Sequence, residues 1–227
     1  MTEGTTPSRT PEATRIRVWD LATRLVHWSM VLAVGLSWWT GETGRLEWHR
    51  WSGYGLLGLL TFRIYWGFFG SSTARFSQFL RGPRTVAGYL KGTWEVAAGH
   101  NPLGAWSVLA LIVLMFVQVA LGLFAVDVDG IESGPLSLYV SFEAGRAAAQ
   151  WHEALFNVLM FFIVLHIVAL AYYRVVRKQR LVTAMFHGSR DYEQAVPPVQ
   201  TVSALRLVVG VILAAVFTWA VSSAFEF

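Results

Sequence analysis

Apolar positions in this chain are not spread evenly. They collect in five long runs, roughly residues 21–39, 48–69, 103–126, 150–173 and 202–222. Each has about the ~20 residues that a helix needs to cross ~30 Å of hydrocarbon. The pattern therefore predicts an all-α integral membrane helical bundle of five spans, not one soluble core. Residues 1–14 are rich in Thr, Pro, Ser and Glu and read as a disordered tail without the features of a signal peptide. Between the second and third runs, residues 71–100 are basic and aromatic (Phe76, Phe79, Tyr89, Trp94) and are broken by Gly82-Pro83. They are expected to form short amphipathic helices on the inner membrane surface; a plain solvated connector is the alternative. Pro197-Pro198 separates the fifth run from the rest. The expected division is thus a tail over 1–14, a four-span core over 15–192, and a linker with a fifth span over 193–227.

Composition agrees. Of 227 residues, 55% are hydrophobic and only 14% charged, where a soluble domain would carry roughly a quarter charged residues. Cysteine is absent, which excludes disulfides, iron–sulfur clusters, thiolate zinc sites and covalently attached c-type haem. Any metal or cofactor must therefore be held by His, Met, carboxylate or backbone. The 18 Lys and Arg exceed the 14 Asp and Glu, but their placement points to a membrane and not to nucleic acid. Arg9, Arg15 and Arg17 precede the first span, and Arg24 lies at its start. Arg75, Arg81, Arg84 and Lys91 lie between spans two and three, and Arg174, Arg177, Lys178, Arg180 and Arg190 between spans four and five. The opposite side holds Arg45, Arg50 and Arg146 beside Glu42, Glu47, Asp127, Asp129, Glu132 and Glu143. The positive-inside rule then puts the amino terminus in the cytoplasm and the carboxyl terminus outside.

Ligating side chains within a span are costly and are functional candidates by default. Alternating span directions bring His49 and His152 to the outer level, and His27 and His166 nearer the inner level. The fourteen residues between His152 and His166 make about four turns, which keeps both rings on one helix face. Two opposed pairs at two depths are what two bis-His haems require, since haem iron takes axial ligands from facing helices. Gly53, one turn after His49, would admit a flat macrocycle or a neighbouring helix, as would Gly55 and Gly58. The string from Gly53 to Gly58 spells G-x-G-x-x-G, yet it lies inside an apolar span and lacks the preceding strand of a dinucleotide site. Arg63, on the His49 face, could meet a haem propionate or a polar quinone head, or could snorkel to the inner surface. Gln118 and Asn157 read as interhelical hydrogen-bond partners. His100, ahead of the Asn101-Pro102 turn, and His187 fall outside either pair.

Several stretches together resemble the bacterial di-haem b-type cytochromes of the b561 and nickel-iron hydrogenase cytochrome-b-subunit type. They are Arg17-Val18-Trp19-Asp20 running to Arg24-Leu25-Val26-His27-Trp28, His49-Arg50-Trp51-Ser52-Gly53-Tyr54, Arg63-Ile64-Tyr65-Trp66, Gly99-His100-Asn101-Pro102, and Trp151-His152 with His166 fourteen residues on. The resemblance implies a four-helix core binding two b haems in the bacterial inner membrane, with ligands at His27, His49, His152 and His166. It implies electron relay between the quinone pool and a periplasmic redox protein: a hydrogenase, a c-type cytochrome or another oxidoreductase. Whether the chain is itself a quinone oxidoreductase or an electron-transfer subunit stays open. A non-redox membrane anchor for a periplasmic enzyme is the competing reading, and a proton- or ion-coupled transporter a third. The acidic loop leading to His152 would steer a basic partner, or is simply what the basic bias of the inner loops leaves outside. The fifth span is expected to be free to meet a partner's membrane anchor or a second copy of the chain.

Overall fold

A computed structural model describes residues 14–94, 98–129, 132–192, 196–197 and 199–225. The expected tail lies outside the described residues except for Thr14, which begins a strand. The elements run β1 (Thr14–Arg17), α1 (Leu21–Glu42), α2 (Leu46–Phe69), α3 (Phe76–Phe79), α4 (Pro83–Leu90), α5 (Pro102–Phe124), α6 (Phe142–Val175), α7 (Leu181–His187), β2 (Ser189–Tyr192) and α8 (Ala204–Ser222), with single 3-10 turns at Ser137–Tyr139 and Ser223–Phe225. This is an all-α membrane helical bundle. Among the described residues, three helices, α5, α6 and α8, are long and apolar enough to cross a membrane by composition alone. The 22-residue α1 and 24-residue α2 have the length. Their composition is diluted by the residues that matter below: His27, Ser37 and Thr40 in α1, and His49, Arg50, Ser52 and Arg63 in α2.

Short polar side chains start three of the long helices by accepting from the exposed amides of the first turn. Asp20 accepts from Thr23 N at 2.6 Å, Asn101 from Gly104 N at 2.7 Å, and Ser141 from Ala144 N at 3.2 Å. Ser141 begins α6 eight residues before the expected span. The stretch from Phe142 to Gln150 reads as acidic loop by charge, but its alanines favour helix. The 34 residues of α6 therefore rise about 51 Å, more than the hydrocarbon needs. In its first turn, the backbone amide and the Ser141 hydroxyl hold the Glu143 carboxyl below its usual range.

Packing runs in pairs. α1 lies along α2, α5 along α6, and α2 touches α5. At one end, β1 and β2 form a two-stranded antiparallel sheet with Thr14 opposite Tyr192. A small core of Val18, Trp19, Ala184 and Tyr192 backs it. Val18 N and Trp19 N both donate to Gly188 O, at 2.7 and 3.0 Å, and Arg24 donates to Phe186 O. Gly188 permits this seam. Its φ of +84° is left-handed, and a Cβ there would sit 2.8 Å from Trp19 O. Of the basic segment, α3 and α4 are helical, and no residue of α4 is buried, as a surface helix requires. The Tyr89 hydroxyl meets that of Tyr173, and burial together with that bond pushes it above the usual phenol range.

One face of the fifth long helix, at Gly210 and Ala214, is buried, and its remaining apolar residues are largely exposed. α8 packs along α2, and the linker before it is pinned: Ser72 N donates to Gln200 O at 3.1 Å, and Gln200 N to Ser72 Oγ at 3.0 Å. Gly210 lies against Tyr65 and Phe62, where an added Cβ would fall 2.6 Å from the Tyr65 ring. Gly58 likewise serves a neighbouring helix, its Cβ position lying 3.0 Å from Thr218 Oγ1. Small residues let helices approach where lipid supplies no hydrophobic drive. Gly210→Leu is accordingly expected to destabilise the protein by about 1–3 kcal/mol through overpacking, read as a lowered melting temperature in detergent.

Candidate functional site

His49 enters from α2 and His152 from α6, and their ring centres stand 5.9 Å apart at 85°. A metal held axially between two imidazoles puts the ring centres roughly 6 Å apart, two metal–nitrogen bonds of ~2 Å plus the depth of each ring. Each ring is fixed by its neighbour. His49 Nδ1 donates to Ser37 O at 2.8 Å, and His152 Nδ1 to Gln118 O at 2.8 Å. A carbonyl can only accept, so both rings carry a proton on Nδ1, which leaves Nε2 as the atom that a ligand would meet. Around them lies a cavity of about 660 Å³ lined by Ser37, Gly41, Gly53, Gln118 and Gly122 among others.

The glycines that press on the rings are not those singled out from the pattern. Gly53 lines the cavity, but a Cβ there would meet open space. A Cβ on Gly41 would lie 3.2 Å from His49 Nδ1, and one on Gly122 3.0 Å from His152 Cε1. Neither neighbours its histidine in sequence, so no local motif reveals them. Gln118 does bond across helices, donating Nε2–H to His152 O at 2.9 Å. Asn157 donates instead to Glu153 O within its own helix.

Three histidines gather at the other level. His27 interacts electrostatically with His166 and Arg63, and its Nδ1 is buried without a hydrogen-bond partner. His100, set aside on sequence grounds, joins them from the loop before α5. It lies between Trp19 and Phe79, with ring centres at 4.7 and 4.8 Å and the planes tilted by 58° and 48°. Burial, with Arg63, His166 and His27 nearby, pushes its imidazole down to about 3, so it is neutral at pH 7. His187 stays apart, bonded to Thr183 O of its own helix. Arg63 is only 5% exposed and does not reach the surface. Its guanidinium lies over the Phe76 ring at 5.2 Å and donates to Ala74 O at a long 3.5 Å. Nearby, Asp20 accepts from Trp66 Nε1 at 3.0 Å and from Ser71, and supplies the opposite charge.

The family described as prokaryotic cytochrome b561 matches residues 18–188. The chain belongs to that family. No curated protein and no solved structure matches it. This cytochrome is thus a membrane b-type cytochrome of electron transfer, and the group its family implies is b haem. The histidine chemistry fits that group, because two imidazoles whose Nδ1 atoms are engaged by backbone carbonyls present Nε2 as the atom to ligate iron. At the rim of the cavity, Arg50 pairs with Glu132 at 3.2 Å, and Asp127 accepts from Glu132 N at 3.2 Å.

Proposed function

We propose that this cytochrome relays electrons across the membrane through two bis-His haems, His49 with His152 and His27 with His166, between a periplasmic redox protein and quinone. The observation that carries the reading is the His49–His152 pair, 5.9 Å apart with both Nδ1 protons engaged by backbone carbonyls. When bound, haem supplies one-electron iron chemistry. The chain's own part is to hold and insulate. The carbonyls of Ser37 and Gln118 set ring orientation and raise ligand basicity. Gly41 and Gly122 keep side chains away from Nδ1 and Cε1 of the two rings. At the second level His27 lies within electrostatic reach of His166, and the buried Arg63 offers a cation to a propionate or a quinone oxygen.

The basic residues before α1, between α2 and α5 and after α6 orient the chain with its amino terminus in the cytoplasm of a bacterial cell, all five long helices spanning the inner membrane. The His49–His152 level then faces the periplasm. There Arg50 neutralises Glu132, which leaves Asp127 and Asp129 to steer a basic partner. A reduced-minus-oxidised spectrum with a pyridine haemochrome assay tests the proposal, and two b haems per chain are expected. A colourless protein that still docks a partner enzyme would favour the anchor reading.

A further inference from the structure

The supports of His49 and His152 repeat one design on two helix pairs. Ser37 O accepts from His49 Nδ1, while the Ser37 hydroxyl meets Ser52 Oγ at 2.6 Å and Ser52 donates to His49 O at 2.8 Å. A closed ring of hydrogen bonds thus grips His49 at its imidazole and at its backbone. Gln118 makes the same ring alone: its carbonyl accepts from His152 Nδ1 and its amide donates to His152 O. In both cases a glycine stands four residues after the accepting carbonyl, Gly41 after Ser37 and Gly122 after Gln118. Helical Cβ atoms lean toward the amino terminus, so the side chain at that position would cover the carbonyl of the preceding turn. Its absence opens the path by which a foreign imidazole reaches a carbonyl already engaged in the helical ladder.

We infer that Ser37 with Ser52, and Gln118, together with Gly41 and Gly122, are positioning residues that lock the two imidazoles in their near-perpendicular planes and tune the iron between them. The inference rests on the proposed ligation by His49 and His152. The second level lacks this device at His27, whose Nδ1 has no partner. The device therefore acts on one haem only. A carbonyl-bonded imidazole is the stronger donor to iron and favours the oxidised state, so loosening the grip raises that haem's midpoint.

Gly41→Ala, Gly122→Ala, Ser52→Ala and Gln118→Met test this by low-spin ferric electron paramagnetic resonance, which senses the angle between the imidazole planes, and by redox titration. The expected result is a shifted signal and a roughly tenfold rise in the reduced-to-oxidised ratio at fixed potential, 59 mV for one electron, for one haem while the other stays unmoved. Loss of only that haem in a glycine variant also supports the inference. If a glycine variant loses both haems, Ser52→Ala and Gln118→Met, which add no bulk on the rings, decide. Wild-type signals and potentials in those two would overturn the inference, and so would an equal shift of both haems. A His49→Ala protein that keeps both haems would instead overturn the ligation on which it rests.

Discussion

Alanine at His49 or His152 is expected to lower the haem content of the purified protein from two per chain to one, and alanine at His27 or His166 to remove the other. No other substitution should change the protein so much, because a chain without cysteine cannot attach haem covalently and the proposed axial ligands are what would hold the iron. Removal of one axial ligand leaves the iron a single protein bond. Haem counts and split redox titrations on the four single variants check this. The double variant His49→Ala/His152→Ala should behave like either single, since the proposal gives both residues to one site, whereas His27→Ala/His152→Ala should be empty. A protein in which His27 and His152 behaved as one site would show the depth assignment to be wrong. The spectral loss should come with reduced thermal stability, because a ligand bound only by the folded state adds its binding free energy to folding.

Asp20→Ala is expected to be the most damaging change away from the histidines, at about 3–5 kcal/mol. One carboxylate caps α1 through Thr23 N, accepts from Trp66 of α2 and from Ser71, and stands opposite the buried Arg63. Alanine would cost the cap, leave two donors unsatisfied and leave a buried guanidinium without a counter-charge. Asp20→Asn keeps an oxygen for the Thr23 cap but puts an amide donor where Oδ2 accepts from Trp66 and Ser71, and it loses the charge, so it should fall between wild type and alanine. Melting temperatures in detergent of the three proteins, with haem content followed in parallel, provide the check. Equal stability of Asn and wild type would mean that the Asp20–Arg63 attraction contributes nothing. Arg63→Met in the Asp20→Ala background should then recover part of the loss, because removing both partners leaves no uncompensated charge.

The five helices were legible because a membrane helix must satisfy its backbone internally and face lipid with apolar side chains, and both demands write themselves into ~20-residue runs. The meeting of His49 with His152 was legible for a related reason: span direction alone sets depth, and depth decides which rings can meet. The start of α6 was missed because charge patterning took Glu143 and Arg146 for loop, while the alanines between them and a Ser141 cap extend the helix. His100 was passed over because it lies outside every span. Only the cap formed by Trp19, Phe79, β1 and β2 folds it back toward His27 and Arg63.

By itself, then, the order of residues determined the class of molecule, the number of long helices, the meeting of His49 with His152 and the family. The tertiary structure alone decided that Gly41 and Gly122 lie against the His49 and His152 rings. It also decided that Ser37, Ser52 and Gln118 hydrogen-bond to His49 and His152, that Arg63 is buried with the Asp20 charge nearby, and that α8 packs on α2 through Gly210. Periodicity and hydropathy report how a residue relates to its own helix and to the solvent. Which carbonyl an imidazole reaches across a helix pair depends on rotation and approach distance between helices, and those are set by the packing of small side chains whose identities carry no local signal.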